Sequence, residues 1–450
     1  MTSKKQQNIT QSALDWMISK GDDVMFILGK SVLSYATAYK QYKKINRIFE
    51  GLKNNDLAFV DIQPNTMGFC LLLTALHIQS KVILGHHYLT PAQKKTFYLL
   101  PDVTQIIQSI NEELIIEPLL KDPKYCTVEE PFIGVLTSGT TATPKCVKHN
   151  LATLRHHLAQ KKHFNKTWFC SYPLTHYAGL QVLFKVLFSQ GRIIASAPNN
   201  MQNDLNNMLQ FQCNYINCTP SYMKKLLSIG DVNQLSQLPL EVITLGGEAA
   251  DKGLLDKLTT LFPATQIHQI YASTELGPVF VIKDKKEGFP AAWIDSKQAK
   301  LTDEGELMVK KRQSSLLGYK GGKNNAGTWL MTGDLIKIEN ERAFLIGRID
   351  EVVNVGGYKI NPFDVEKIIA TIPGVVEVLV RGVKNPVIGN LVEALVKLDE
   401  HVSQVDIKLE INRTCRAFLS EYAGPHLVHF VDEIPINFVH KKRRMNQGAL

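Results

Sequence analysis

The sequence has no Cys-x-x-Cys pair, and its seven cysteines are an odd number. That excludes a zinc ribbon and argues against a disulfide framework, so reduced thiols of a cytosol are expected. No apolar run approaches the roughly 20 residues that a membrane span needs, and the stretch from Met67 to Leu73 falls far short. The first ten residues, MTSKKQQNIT, carry basic side chains with no apolar stretch behind them, which is not a secretory leader. A cytoplasmic protein without a membrane span is expected. The pairs His86-His87 and His156-His157 are sequence neighbours; neighbours point apart on a helix or strand, so no metal site is expected there. Basic residues form short pairs such as Lys43-Lys44, with one compact run at Lys441-Lys442-Arg443-Arg444. Without finger spacing or ribonucleoprotein aromatics, nucleic acid is not an expected partner. The net charge of +9 favours anionic ligands instead: nucleotides, coenzyme A or an acidic carrier protein.

What is present reads as an ordinary globular chain, with 44% hydrophobic and 21% charged residues. Its 450 residues exceed one ordinary core and imply two domains. From about residue 132 strand and helix patterns alternate. FIGVLTS, RIIASA, YINCT, EVITL and IHQIYAS read as strands. HHLAQKKHF, GLQVLFKVLFSQ, residues 201–212, SYMKKLLSI and LLDKLTTLF read as helices. Gly191 is placed to close the second of these helices. Such alternation predicts an α/β fold with helix-covered parallel strands. After about residue 300, ELMVKK, TWLMTG, DLIKIEN and RAFLIGR predict short strands, and GGKNNAG a turn-rich loop. The last hundred residues predict a small α+β unit: helix FDVEKIIATI, strands VEVLVRGV and LVEALVKL, helix IKLEINRTCRAFL, strand HLVHFVDEI. The expected organisation is a large domain, 1–348, and a small one, 349–450, joined by a hinge near Arg348 to Asp350.

The chemistry is concentrated first in Leu136-Thr-Ser-Gly-Thr-Thr-Ala-Thr-Pro-Lys145. Glycine, hydroxyl residues and one lysine after a strand offer backbone N–H groups, hydroxyl donors and a cation to phosphate oxygens. The G-x-x-x-x-G-K-[ST] spacing is absent, so this is not a Walker A loop. Gly29-Lys30-Ser31 fails the same test, because Val24 stands where the first glycine belongs.

This segment resembles the phosphate loop of the acyl-adenylate-forming (AMP-binding) superfamily: acyl- and aryl-CoA synthetases, peptide-synthetase adenylation domains and luciferase. Further segments resemble the family's motifs in the same order. They are Pro173-Leu-Thr-His-Tyr-Ala-Gly-Leu180, Gly246-Gly-Glu248, Tyr271-Ala-Ser-Thr-Glu275 and Thr332-Gly-Asp334. Then come Gly347-Arg-Ile-Asp-Glu-Val-Val-Asn-Val-Gly-Gly-Tyr-Lys-Ile-Asn-Pro362 and Pro435-Ile-Asn-Phe-Val-His-Lys441. Together they span residues 132 to 444. In size, and at His176-Tyr-Ala-Gly-Leu180, the chain resembles compact bacterial ligases such as o-succinylbenzoate-CoA ligase.

The resemblance implies ATP-dependent activation of a carboxylic acid as an acyl-adenylate, then transfer to a thiol. Ser138, Gly139, Thr140, Thr141, Thr143 and Lys145 would hold the β- and γ-phosphates. Thr274 would meet the α-phosphate and Glu275 would bind Mg²⁺. Gly246, Gly247, Glu248 and Tyr271, with Ala272 and Ser273 beside it, would surround adenine. Asp334 would accept from ribose hydroxyls, and Arg348 would meet ribose or phosphate. His176 would border the carboxylate pocket, and Lys441 would orient the carboxylate. Asp350 would be the hinge, and Gly356-Gly357 would line the thiol tunnel. Ala142, Cys146, Ala272 and His440 stand at family glycine positions, and Lys442 adjoins Lys441. Amino-acid-activating relatives carry an aspartate where this chain has Tyr177-Ala178-Gly179, so a fatty or aromatic acid is expected before an amino acid. With no carrier segment after Lys441, the acceptor is expected in trans: CoA first, the phosphopantetheine of a carrier protein second. A nucleotide-binding protein without turnover, suggested by the replaced glycines, and a nucleic-acid-binding protein rank below both.

Overall fold

In the computed structural model the described residues are 17–50, 56–78, 81–110, 113–119, 131–137, 144–155, 165–197, 200–230, 232–294, 296, 298–310, 318–320, 329–399, 402–419 and 423–435. The chain packs as two compact units, a larger one of residues 1–286 with 312–324 and a smaller one of 287–311 with 325–450. Arg348 and Asp350 both lie in the second unit. No helix among the described residues is long and apolar enough to cross a membrane.

Two sheets build the first unit. The first runs in the order Gly277–Ile282, Gln266–Ser273, Val242–Gly246, Tyr215–Cys218, Thr167–Cys170, Arg192–Ala195, Val24–Leu28, Ser31–Ser34. Its six inner strands are parallel and its two edge strands antiparallel. The second runs Gly318–Lys320, Lys145–His149, Ile133–Thr137, Val82–His86, Leu57–Ile62, Val103–Ile110, Glu113–Pro118. The segment before residue 130, which showed no motif, thus supplies two strands of the first sheet and four of the second.

Val24–Leu28, Thr167–Cys170, Tyr215–Cys218 and Leu57–Ile62 are buried along nearly their whole length, because both faces are covered, as in helix-flanked parallel sheets. Side chains alternate between two cores with the strand period of two. Phe26 and Leu28 enter the core between the sheets, with Trp168, Val60, Leu84 and Val135. Ile27, Phe169 and Ile216 turn to the opposite face, under the helices Met201–Gln210, Pro220–Ile229 and Lys252–Leu261. Thr66–Ile78 and Tyr177–Phe188 are apolar nearly all round and contribute to the core shared by the two sheets, as the buried-helix rule demands. The far face of the second sheet packs Phe59 and Ile83 against Phe97 of the helix Pro91–Tyr98.

The helix Tyr177–Phe188 ends differently from the expectation for Gly191. Gln190 takes the left-handed conformation, at φ 51°. Gln190 N–H donates to Leu187 O, and Gly191 N–H donates to Val186 O at 3.1 Å, the paired bonds of a Schellman motif. Gly191 is held to a small residue for another reason, since a Cβ there would fall 2.5 Å from Lys166 O.

In the second unit an antiparallel sheet runs Phe289–Pro290, Arg342–Arg348, Trp329–Glu339, Glu306–Lys310, Ala299–Leu301. TWLMTG and DLIKIEN, expected as separate strands, form one strand, Trp329–Glu339, that runs through Thr332-Gly333-Asp334. A hairpin follows (Val353–Val355, Tyr358–Ile360), then the helix Pro362–Ile369, whose first turn Asn361 caps by accepting from Phe363 N–H. The strands Val375–Asn385, Gly389–Leu398 and Leu427–Phe430 and the helix Gln404–Phe418 complete a small core around Val365, Val380, Val396 and Ile411. HHLAQKKHF and GGKNNAG lie outside the described residues. Six of the seven cysteines are free and buried; Cys126 is outside the described residues.

Candidate nucleotide and acid site

In open parallel sheets, ligands bind beyond the carboxyl ends of the strands. Four neighbouring strands of the first sheet end at Cys170, Cys218, Gly246 and Ser273. The segments that follow carry Tyr172 and His176, Thr219, Gly247-Glu248, and Thr274-Glu275. The fold therefore gathers three of the expected motifs on one edge. Glu275 sits in the turn of an antiparallel hairpin, between Gln266–Ser273 and Gly277–Ile282, and not at a helix start. Ser273 Oγ accepts from Leu276 N–H at 3.1 Å and tightens that turn. A bulge falls between Tyr271 and Ala272. Ala272 is exposed there, and it is not among the non-glycine residues with positive φ, so alanine fits where relatives carry glycine. Tyr271 packs beside Phe280, with ring centroids 5.9 Å apart.

The glycine pair adjoins two polar contacts. Tyr172 Oη donates toward Gly246 O at 3.1 Å. A Glu248 carboxylate oxygen accepts from Ser221 N–H at 3.1 Å, in the first turn of Pro220–Ile229, where a negative charge suits unpaired amides and the helix dipole.

The second sheet brings its own groups. Lys145 opens the strand Lys145–His149 opposite Thr137, so residues 138–144 join the two strands. Ser138, Gly139, Thr140, Thr141, Ala142 and Thr143 lie outside the described residues, as do His440, Lys441 and Lys442. Cys146, at another family glycine position, is a buried strand residue packed with Leu57 and Phe59. His176 precedes the helix Tyr177–Phe188 without capping it, and its ring lies 5.0 Å from that of His86. Tyr177 meets His149 at 5.6 Å. The start of this helix is thus bracketed by the carboxyl-terminal residues of two second-sheet strands.

His86 and His149 are the residues that sequence reasoning missed. Each is 2% exposed. Burial, followed by the positive charges of His176, His87 and Lys94, lowers the His86 pKa to about 2. Burial lowers that of His149 to about 4, against a hydrogen bond involving the Thr274 backbone. Both imidazoles are neutral at pH 7, and Thr274 is thereby placed beside the strand that Lys145 opens. Near His87, the buried Asp61 carboxylate pairs with Lys94 Nζ at 2.6 Å.

The second unit holds the remaining expected residues. Asp334 and Arg348 are cross-strand partners, joined at 2.7 Å, and Arg348 Nε reaches Asp350 at 2.9 Å. Gly333 sits at φ 78°, a conformation that favours glycine, and a Cβ there would lie 2.7 Å from Arg348 Nη2. Gly356 and Gly357, at φ 56° and 94°, make the turn between Val353–Val355 and Tyr358–Ile360, as a two-residue hairpin turn with positive φ at both positions demands. Asn354 Oδ1 accepts from Gly357 N–H at 3.0 Å.

No group of three or more metal-ligating side chains occurs among the described residues. A Mg²⁺ that arrives on phosphates keeps its waters and needs no all-protein cage, so a lone carboxylate such as Glu275 could serve it.

The chain belongs to the AMP-binding enzyme family. The family model matches residues 74–317, and that of the AMP-binding enzyme C-terminal domain matches residues 364–441. It is an adenylate-forming, AMP-forming ligase. The D-alanine–D-alanyl carrier protein ligase of Staphylococcus aureus is 25% identical over 356 residues, 73% of this chain and 72% of that protein. The 2-succinylbenzoate–CoA ligase of Bacillus pumilus is 26% identical over 339 residues, 68% of this chain and 66% of that protein. Solved structures sharing the fold include o-succinylbenzoate coenzyme A synthetase from Bacillus subtilis, in complex with ATP and magnesium ion. Its TM-score is 0.68 at 19% identity, covering 95% of this chain and 98% of that one. The anthranilate CoA ligase AuaEII, in complex with anthranoyl-AMP, gives 0.72 at 15% identity, covering 96% and 95%.

Proposed function

We propose that this ligase activates a fatty or aromatic carboxylic acid and passes the acyl group to the thiol of CoA. The observation that carries the reading is the gathering of Tyr172–His176, Gly246–Glu248 and Ser273–Glu275 at the carboxyl ends of adjacent parallel strands, with His86 of the second sheet against His176.

In the first half-reaction a carboxylate oxygen attacks the α-phosphorus of ATP and pyrophosphate leaves. Ser138, Gly139, Thr140, Thr141, Thr143 and Lys145 hold the departing phosphates, Thr274 the α-phosphate, and Glu275 the Mg²⁺. That ion supplies charge neutralisation on the phosphates. Gly246, Gly247, Glu248 and Tyr271, with Ala272 and Ser273, frame adenine. Asp334 and Arg348 hold the ribose, and Lys441 orients the carboxylate against the developing charge. In the second half-reaction the thiol sulfur attacks the acyl carbon and AMP leaves. Rotation at Asp350 exchanges Lys441 for the Gly356-Gly357 turn, between domains 1–348 and 349–450.

Neutral His86 beside His176 and the lack of a carboxylate at Tyr177-Ala178-Gly179 support an acid without an α-ammonium group, which would find no counter-charge there. Transfer to a carrier protein is the second reading. It is favoured by the carrier-protein ligase of S. aureus among the relatives and by this chain's net charge of +9, which suits an acidic partner. The six buried free thiols agree with cytoplasmic residence. The test is pyrophosphate release from ATP-Mg²⁺ across fatty, aromatic and amino acids, with CoA or a phosphopantetheinylated carrier protein. Release stimulated by an acid, and raised further by CoA, is expected. Nucleotide binding with no acid-stimulated release would leave a binding protein without turnover.

A further inference from the structure

Tyr172 lies two residues past the strand Thr167–Cys170 and is 8% exposed. Its hydroxyl lies 2.5 Å from Cys218 O and 3.1 Å from Gly246 O. Those carbonyls close the two next strands of the sheet, Tyr215–Cys218 and Val242–Gly246. A phenol has one hydrogen to donate, and two acceptors in reach keep it bonded whichever it favours. The ring is thereby tethered at its tip across the carboxyl ends of three parallel strands. Burial, then the neighbouring Cys218, Cys170 and Glu248, pushes its pKa well above the usual phenol range, so the hydroxyl remains a donor at any working pH.

The place matters, since the crevice beyond those strand ends is where ligands of such sheets bind. An aromatic ring fixed there at both ends removes depth that an aliphatic or small residue would leave open. The tip of the ring lies against residue 246, since a Cβ on it would stand 3.3 Å from the Tyr172 hydroxyl. His176, expected to border the carboxylate pocket, lies four residues on and immediately precedes the helix Tyr177–Phe188.

We infer that Tyr172 is the floor of the acid-binding crevice and restricts the enzyme to compact acids, an aromatic ring or a short chain, excluding long-chain fatty acids. The inference rests on the proposal that the chain adenylates a non-amino carboxylic acid, and narrows it. Tyr172 is a specificity-determining residue here, with no part in the bond-making steps.

The experiment measures acid-dependent pyrophosphate release with straight-chain acids from acetate to dodecanoate, and with benzoate and succinylbenzoate. It compares wild type, Tyr172→Phe, Tyr172→Leu and Tyr172→Ala. In the wild type, kcat/KM is expected to fall about tenfold or more between compact acids and decanoate, as a steric limit of a few methylenes implies. Tyr172→Ala should raise decanoate relative to benzoate by about tenfold or more, with Tyr172→Leu intermediate. Tyr172→Phe keeps the ring and should keep the wild-type length profile. Circular dichroism and melting midpoints establish which variants fold, and Tyr172→Leu carries the test if Tyr172→Ala does not. A wild type that prefers decanoate overturns the inference, as does an active, folded leucine or alanine variant with an unchanged profile. A wild type inactive with every acid removes the adenylation proposal and this inference together, an outcome distinct from an active enzyme whose profile does not move.

Discussion

Arg348 joins Asp334 at 2.7 Å across two antiparallel strands, while its Nε bonds Asp350 at 2.9 Å. One guanidinium thus locks the carboxylate proposed for ribose to the residue proposed as hinge. A rigid planar fork holds two partners in fixed geometry, which a flexible ammonium does not reproduce. Arg348→Lys is therefore expected to lower kcat/KM for ATP about tenfold while pyrophosphate release remains measurable. Asp334→Asn should cost as much or more. Steady-state kinetics with varied ATP decide it, and values within twofold of wild type would remove the network from nucleotide binding.

The buried histidines set an acid limit on stability. Their folded pKa values, about 2 for His86 and about 4 for His149, lie below the unfolded value of 6.5. Between these limits the unfolded chain binds more protons, so stability rises with pH. The contribution is complete above pH 6.5 and is lost as pH falls from 6.5 toward 4 for His149 and toward 2 for His86. Each histidine gives a slope of about 1.4 kcal/mol per pH unit at most. His149→Gln should flatten the dependence of unfolding free energy on pH by up to one proton between pH 6 and 4.5. An unchanged slope in denaturant titrations would show that His149 charges in the folded protein.

Lys441 and Lys442 are adjacent, and only one can take the place proposed for the carboxylate-orienting cation. Lys441→Ala should reduce acid-dependent pyrophosphate release by about a hundred- to a thousandfold, the usual cost of one transition-state electrostatic contact. Thioester formation from supplied acyl-adenylate should stay within a few fold of wild type, because that half-reaction follows adenylation. Lys442→Ala should behave as wild type in both assays. The reverse pattern would exchange the two assignments.

Much of this was legible in local sequence. The alternation from residue 132 onward announced the parallel strands, since each segment carries its own period and caps. Contacts between distant segments were not legible. Nothing in the sequence around His86 signals that its ring meets His176, because the pairing depends on how the two sheets stack around the helix Tyr177–Phe188. Thr332-Gly333-Asp334 reads locally as a turn, yet the strand Trp329–Glu339 continues through it, with Gly333 at φ 78° and a register shift against Glu306–Lys310. Likewise Gly191 looked like the helix stop, although Gln190 accepts the left-handed conformation and the glycine yields to Lys166 O instead. The site's parts were visible one by one, whereas Tyr172 was not, since its meaning lies in two carbonyls from other strands.

Those carbonyls give a last prediction that depends on packing alone. Adding a methyl at residue 246 brings a Cβ to 3.3 Å from Tyr172 Oη, so one of the two must shift. Gly246→Ala is expected to cost about 1–3 kcal/mol, the range for overpacking a well-filled site. Tyr172→Phe should cost about 1 kcal/mol for the lost hydrogen bond. Removing the hydroxyl also removes the atom that the new methyl meets. The double variant should therefore be more stable than the sum of the single costs, by about 0.5–1 kcal/mol, as expected for residues in direct contact. Urea denaturation of the four proteins closes the cycle. Additivity within about 0.3 kcal/mol would mean that the hydroxyl does not press on residue 246, and that the ring is not held where a crevice floor must stand.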